Sequence, residues 1–592
     1  MAKGSKAARK KRRARKAAAF MKKLIPVLVA IVLIVAIVGI FYGKDIYERF
    51  TESKERADKF EYFGIAGEDS VALIINEEHS EYVGYEYEGE CYLPLDVVRQ
   101  AFNSNFYYNV DDQVLINTTG KENIVYNVSS GAKSYDVDGS PVSTTFAPAV
   151  LKDGELYVSL EYISLFADMT YTEYDDPNHV VIYTKGSKAE EAFATKDTAV
   201  RYRGGIKSPI LEDLTEGEEV YVLEELDDWT KVLTDEGYIG YVMSKRLNMS
   251  GSAYTVDIKG ATYTVSIASL TKEEKENVLF VQVMNQASNV AIDDVLGQEA
   301  GITSLTSGVK TIAPTWFRIL DNEGNIENIS DKAYVDKINA YGIDVWGVWT
   351  DVDYSVDLGA ILRNTSKRNK LVDSIVSDAQ AAGLQGVNID FETLKSDYGQ
   401  DFVQFIRELS VKTHDAGLIL SVDNYVPAAY NSFYGIDQQG VFADYVIIMG
   451  YDEHYAGSAE AGSVASIDYV EQGIIQATNV MPANKVINAI PFYTRAWTTA
   501  AGEVSSKALG MIEAKEWANA NGIALEWDNE TCQQYGQIEK GGTLYQIWLE
   551  DPESIQVKLS VMQSYEVGGV AEWKAGLEDP VVWGYIEGYL YE

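Results

Sequence analysis

The sequence predicts a multidomain chain that ends in a (β/α)8 barrel, and three observations point there. From residue 275 onward, short apolar strand-like runs alternate with amphipathic helical stretches. Eight such runs can be counted, and polar residues gather at their ends. Alternating strand and helix patterns argue for β–α units around a parallel sheet, and eight units over residues 275–592 suit a TIM-type barrel with one insertion. The runs begin near Val278, Val309, Asp344, Gly386, Leu418, Tyr445, Lys485 and Gly569, with the insertion expected around 496–546.

The chain has 592 residues, enough for about three to five domains, and its apolar fraction of 46% is that of globular protein. Its net charge of −39 is unevenly spread. Residues 1–23 hold eleven Lys or Arg and no acid, so the remainder carries 39 basic against 89 acidic residues, a net of −50. A body that acidic repels nucleic acid.

Residues 1–23 read as a basic cytoplasmic segment. Residues 24–43, LIPVLVAIVLIVAIVGIFYG, are uncharged. At 1.5 Å per residue, twenty helical residues span about 30 Å, the thickness of a hydrocarbon core. The basic flank places the N-terminus inside, and residues 44 onward face outward. The competing reading is a cleaved leader. The run exceeds the usual 7–15 apolar residues and no A-x-A site follows, which favours a retained single-pass anchor at the cell membrane of a bacterial surface protein. Residues 44–66 read as a charged stem.

Next comes an internal repeat. Tyr92-Leu-Pro-Leu-Asp-Val-Val leads to Asp111-Asp112 and an apolar run; Tyr157-Val-Ser-Leu-Glu-Tyr-Ile leads to Asp175-Asp176 and another. Each copy predicts a strand, a helix and a hairpin turned at the acidic pair. This α+β stretch, 67–187, resembles the stalk domain at the N-terminus of copper amine oxidases, which implies a spacer or binding module without a copper site. Residues 193–250 predict a small all-β barrel of short alternating strands. With Gly217, Trp229, Gly240-Tyr-Val and Leu247 it resembles a bacterial SH3-type domain, which implies a cell-wall peptide as partner. Burial in a core is the plainer use of Trp229 and Tyr241.

The fourth barrel run, Gly386-Val-Asn-Ile-Asp-Phe-Glu, is the informative one. Its period of two puts Asn388, Asp390 and Glu392 on one face and Val387, Ile389 and Phe391 on the other. Three polar groups in a row inside a barrel cost too much to be packing. Asp390 and Glu392 lie about 6.6 Å apart along a strand, so one of them holds a proton near neutral pH, as a general acid must. A buried carboxylate pair held by basic partners is the plainer alternative. Catalytic groups of such barrels sit at the C-terminal strand ends, which also selects Met449, Tyr451, Asp452 and Trp573.

On these residues 275–592 resemble glycoside hydrolase family 18, most of all its spore-cortex and wall-lytic N-acetylglucosaminidase branch. The matching stretches are Ala313-Pro-Thr-Trp-Phe, Asp344-Val-Trp, Gly386-Val-Asn-Ile-Asp-Phe-Glu, Met449-Gly-Tyr-Asp, Ile490-Pro-Phe-Tyr-Thr-Arg-Ala-Trp, Ile547-Trp-Leu-Glu-Asp-Pro-Glu-Ser-Ile and Gly569-Val-Ala-Glu-Trp. The family pattern D-G-x-D-x-D-x-E is met except at Gln385 and Asn388, each standing where the pattern has Asp.

The resemblance implies substrate-assisted retaining hydrolysis with Glu392 as proton donor, Asp390 orienting the substrate acetamido group and Tyr451 bonding its oxygen. It implies Asn388, Met449, Asp452, Trp573, Trp316, Asn424, Tyr493 and Arg495 as substrate-binding residues. No metal or cofactor is called for, since the four histidines form no cluster and Cys91 and Cys532 lack companions. The implied substrate is an N-acetylglucosamine-containing polysaccharide, peptidoglycan before chitin-type oligosaccharide. A carbohydrate-binding protein without turnover and a wall scaffold are the alternatives.

Overall fold

The computed structural model describes residues 4–256, 267, 269–284, 308–352 and 355–591. The chain divides into two compact units, one of residues 1–97 and 157–262, the other of 98–156 and 263–592.

The first unit begins with one continuous helix, Gly4–Phe50, that carries both the basic and the apolar segments. Its stretch Arg9–Ile40 is long and apolar enough to cross a membrane, and none of it is buried. The repeat then takes the form read from its pattern. Strand Glu90–Pro94 runs into helix Leu95–Val97, and strand Glu155–Ser159 into helix Leu160–Ser164. The hairpin Phe106–Asn109/Val114–Thr118 turns through Asp111 and Asp112, and Met169–Tyr174/His179–Thr184 turns through Asp175 and Asp176. The two hairpins then differ. The second pairs in parallel with Ser70–Ile75 in the first unit. The first opens a separate five-stranded sheet that runs to Ser143 and clusters with the second unit. The stretch expected as one stalk, 67–187, is thus shared between two units.

Residues 188–255 form seven strands of one antiparallel sheet, among them Glu219–Glu225, Trp229–Thr234 and Ile239–Met243. Their alternation buries Val220, Val232 and Val242 in a common core. Trp229 and Tyr241 stay partly exposed.

The second unit is built on eight strands: β1 (Glu276–Val281), β2 (Thr311–Pro314), β3 (Asp344–Thr350), β4 (Gly386–Asp390), β5 (Ile419–Tyr425), β6 (Tyr445–Met449), β7 (Val486–Pro491) and β8 (Gly569–Trp573). Each is parallel to the next, and β8 pairs with β1, so the sheet closes into the expected TIM-type barrel. Alternation sorts the side chains. Val278, Phe280, Trp346, Val348, Tyr445, Ile447 and Ala571 fill the interior, while Leu279, Val345, Val387, Ile389 and Val446 pack outward on the helices. Gly386 is needed at the start of β4, because a Cβ there would meet the Trp346 ring at 2.5 Å. Beneath the barrel, the Leu270 N–H donates to Asp444 and the Lys272 N–H to the Tyr445 hydroxyl. The insertion between β7 and β8 is a five-stranded antiparallel sheet from Tyr493 to Leu549 with helix Met511–Ala520.

Within this unit the sheet of 98–156 lies against helices Thr365–Ala382 and Gly399–Asp415. Tyr107 donates to Asp401, Gln404 to the Thr118 hydroxyl at 3.1 Å, and the Thr365 N–H to Asp112 at 2.6 Å. At the centre the buried Arg368 makes two hydrogen bonds to Glu408, at 2.8 and 2.9 Å, and a third to the Leu362 carbonyl. Removing one partner of a buried pair leaves an uncompensated charge and costs about 3–5 kcal/mol. Arg368→Met is therefore expected to lower the urea midpoint of the second unit sharply, and adding Glu408→Leu to recover most of the loss. Equal stability of Arg368→Met and wild type would show that the pair holds nothing.

Candidate active site

Asn388 and Asp390 on β4 and Glu392 just beyond it lie beside Ser421, Asp423 and Tyr425 of the neighbouring β5 at the barrel mouth. The register pairs Asn388 with Ser421, and the same register carried upward sets Asp390 opposite Asp423 and Glu392 opposite Tyr425. The hydrogen bonds follow this ladder. The Asn388 amide donates to Ser421 Oγ at 3.0 Å and to Asp423 Oδ1 at 2.8 Å. The Tyr425 hydroxyl donates to Glu392 Oε2 at 2.6 Å. Val387, Ile389 and Phe391 pack on the opposite face against the helices.

Glu392 is partly exposed, two residues past the end of β4. Its backbone is tied down. The Glu392 N–H donates to Asp351 Oδ1 at 2.7 Å, and Thr393 bonds the same carboxylate through its N–H and its hydroxyl. Tyr398 donates to the Thr393 carbonyl at 3.0 Å.

The electrostatics of the cluster are one-sided. Among the described residues no Lys, Arg or His forms an ion pair with Asp390, Glu392 or Asp423. Burial pushes the Glu392 carboxyl up; the Tyr425 hydrogen bond opposes this, and Asp351 and Asp452 reinforce it. Burial, then Asp423, Glu392 and Asp351, hold Asp390 well above the usual carboxylate range. Asp390 is 8% exposed, and its Oδ1 has no hydrogen-bond partner among the described residues. Asp423 is 5% exposed, and burial pushes its carboxyl up, against the Asn388 hydrogen bond and with the help of Glu392. Burial and the neighbouring Asp423 likewise keep the Tyr451 phenol protonated.

Most of the expected residues gather here. Tyr451 follows β6 and meets Tyr493 edge-on at 6.3 Å. Tyr493 donates to Asp452, which is exposed in left-handed backbone at φ +58°. Met449 ends β6, and Trp573 ends β8 with its ring 5.8 Å from Phe280. Two residues sit elsewhere. Trp316, expected in the cleft, is 1% exposed and packs against Tyr334 in the outer core. Asn424 has the wrong parity on β5: it faces the helices and exchanges hydrogen bonds with Gln439 at 2.7 and 3.0 Å. Arg495, two residues past Tyr493 on the same strand, bonds Ser506 at 3.2 Å, and its charge acts on Tyr493. Gln385 stands before β4 and accepts from the Val345 N–H at 2.9 Å.

Sequence reasoning missed Asp351, Asp423 and Tyr425. The signal for the last two was present: Ser421, Asp423 and Tyr425 alternate along β5 just as Asn388, Asp390 and Glu392 do along β4. Asp351 lies one residue beyond β3 and carries no such pattern.

Three comparisons bear on this site. A family model described as "Glycosyl hydrolases family 18" matches residues 277–578. A cortical fragment-lytic enzyme of Bacillus subtilis is 28% identical over 242 residues, 39% of this chain and 56% of its own length. Its counterpart in Bacillus anthracis is 24% identical over 240 residues, again 39% and 56%. The chain thus spans about half the length of the curated relatives it matches. A solved structure, the spore cortex-lytic enzyme SleL of Bacillus cereus, aligns with TM-score 0.47 and 21% identity over 53% of this chain and 74% of that one.

The carboxyls of the cluster titrate higher in the folded barrel than in the unfolded chain, where Asp and Glu lose their protons near 4. The stability they contribute is whole below that range and is lost as pH rises through the raised range in which the coupled Asp390–Asp423 pair gives up its proton. The urea midpoint is therefore expected to fall between pH 6 and pH 9, and to fall less in Asp390→Asn. A midpoint that falls equally in both proteins would remove the cluster as the cause.

Proposed function

The chain belongs to glycosyl hydrolases family 18, and from that premise we propose that it hydrolyses a β-linked, N-acetylglucosamine-containing polysaccharide, peptidoglycan before chitin-type oligosaccharide. The observation that carries this reading is Glu392 itself. It stands at the barrel mouth with no cation beside it among the described residues, its proton favoured by burial and by acidic neighbours, and its side chain oriented by Tyr425.

A neutral carboxyl so placed can donate its proton to a glycosidic oxygen. Family 18 departs from the two-carboxylate scheme by using the substrate's own acetamido group as nucleophile. In this chain Glu392 protonates the leaving oxygen while the 2-acetamido oxygen attacks the anomeric carbon, forming an oxazolinium ion. Asp390 accepts the acetamido N–H and stabilises the positive charge that develops. The protonated Tyr451 hydroxyl donates to the acetamido oxygen. Glu392, now ionised, takes a proton from the incoming water, and the configuration is retained. Trp573 offers an apolar floor to the sugar ring, flanked by Met449, Asp452 and Tyr493.

Peptidoglycan is preferred because the curated relatives are named for cortical fragments. The exposed apolar helix supports a membrane anchor that places the barrel on the outer face. The SH3-like sheet of 193–250 is read as a wall-peptide module and the 67–187 stretch as a spacer.

The test is mass spectrometry of fragments released from purified peptidoglycan by the detergent-solubilised full chain. Wild type is expected to release fragments ending in a reducing N-acetylated sugar, and Glu392→Gln to slow this by about 10²–10⁴-fold. Sugar binding by both proteins with cleavage by neither would leave a binding protein and end the enzyme reading. Tyr425→Phe removes a donor that stabilises the Glu392 carboxylate. Its kcat–pH profile is expected to keep its shape with the alkaline limb moved upward; an unmoved limb would separate Tyr425 from the proton donor.

A further inference from the structure

The family pattern has a carboxylate at position 388, two residues before Asp390 on β4. This chain has Asn there. The structure puts a carboxylate close by, on the next strand. Asp423 projects from β5 into the same interior, level with Asp390 in the register and bonded by the Asn388 amide. Adjacent strands lie about 4.8 Å apart. We propose that Asp423 is the proton partner of Asp390 and stands in for the acid that position 388 lacks.

The hydrogen bonds assign the two roles. Asn388 donates to Asp423 Oδ1, which stabilises the anion there and leaves the second oxygen of Asp423 free to take a proton. Asp390 Oδ1 receives no donor among the described residues, so the resting proton belongs on Asp390. When the substrate acetamido N–H arrives, that proton moves across. The O–H bond on Asp390 breaks, one forms on Asp423, and the pair keeps a single negative charge. Asp390 is then the anion that orients the acetamido group and faces the oxazolinium ion. The groups around the pair are Thr350 and Asp351 from β3 and its end, Asn388 and Glu392 from β4 and its end, Ser421 and Tyr425 on β5, Tyr434 beyond it and Tyr451 after β6. None carries a positive charge.

Asp423 acts through Asp390 and is a positioning residue. The activity half of this inference rests on the glycosidase reading; the proton half does not. In Asp423→Asn, kcat is expected to fall about tenfold to a hundredfold with KM little changed, the range of a misplaced proton, and the kcat–pH profile to shift. Moving the acid back, in Asn388→Asp/Asp423→Asn, is expected to restore most of the rate. Unchanged kcat and pH profile in Asp423→Asn would overturn the proposal. If that variant folds poorly, the swap decides: a folded swap protein without recovery also overturns it. Infrared titration of the carboxylic C=O stretch reads the proton without turnover. Wild type is expected to hold a protonated carboxyl at neutral pH whose midpoint drops by about one unit or more in Asp423→Asn, as loss of a like charge requires. A midpoint that stays in place overturns the proposal even if wild type cleaves no sugar. Failure of wild type to cleave, with the infrared shift present, strikes the glycosidase reading alone.

Discussion

Like charges crowded into a low-dielectric space cannot all be present at once, and the barrel mouth is built around that rule. Asp351, Asp390, Glu392 and Asp423 share one end of the cylinder. Two unit charges 5 Å apart repel by about 3 kcal/mol at an effective dielectric of 20, and burial adds to the cost of each. Elsewhere several buried acids are neutralised by cations, Arg368 on Glu408, Lys558 on Glu550 and Lys272 on Glu276, while Glu572 has the Asn277 amide instead. At the mouth the acids have no such cation, among the described residues. The only way to lower the repulsion there is to retain protons, and a retained proton beside a groove is a reagent.

In the proposed reaction the proton donor also has to be aimed, since a displacement of about 1 Å costs orders of magnitude in rate. Glu392 lies past the last hydrogen bond of β4, where a loop would otherwise wander. Asp351 prevents that by accepting from the Glu392 and Thr393 N–H groups and the Thr393 hydroxyl. Tyr398 fixes the carbonyl of Thr393, and Tyr425 fixes the carboxylate. Asp351 is thus both a clamp on the backbone and a charge that raises the neighbouring carboxyls. One residue supplies geometry and acidity together.

What the sequence made legible depended on period. The eight strands and the insertion after β7 follow from short apolar runs set between helical stretches, which is how strands buried on both faces read. The Asn388, Asp390 and Glu392 triad was legible from its period of two. Asn424 was misread because its polarity was weighed without its parity: two residues of β5, Asp423 and Asn424, are both polar and buried, and only their phase against Ser421 and Tyr425 tells which one faces the interior. Trp316 was misread because aromatics serve core and cleft alike, and burial against Tyr334 is a tertiary fact. The division of the 67–187 repeat between two units was not legible at all. Both hairpins have the same local pattern, and what separates them is the buried Arg368–Glu408 pair and the Tyr107 contact on distant helices.

Moving an acid from position 388 to position 423 changes more than its address. Residues two apart on a strand are separated by about 6.6 Å, whereas residues level on neighbouring strands are about 4.8 Å apart. At the same effective dielectric the repulsion rises from about 2.5 to about 3.5 kcal/mol, so a pair across strands is the more tightly coupled. The amide left at 388 adds a donor where the acid would have added a charge, and it directs that donor to one oxygen of Asp423. The pair therefore gains asymmetry as well as strength: one member has its anion stabilised in advance, the other does not. In the proposed exchange, a proton that rests on Asp390 and leaves it when the acetamido N–H arrives needs such a bias.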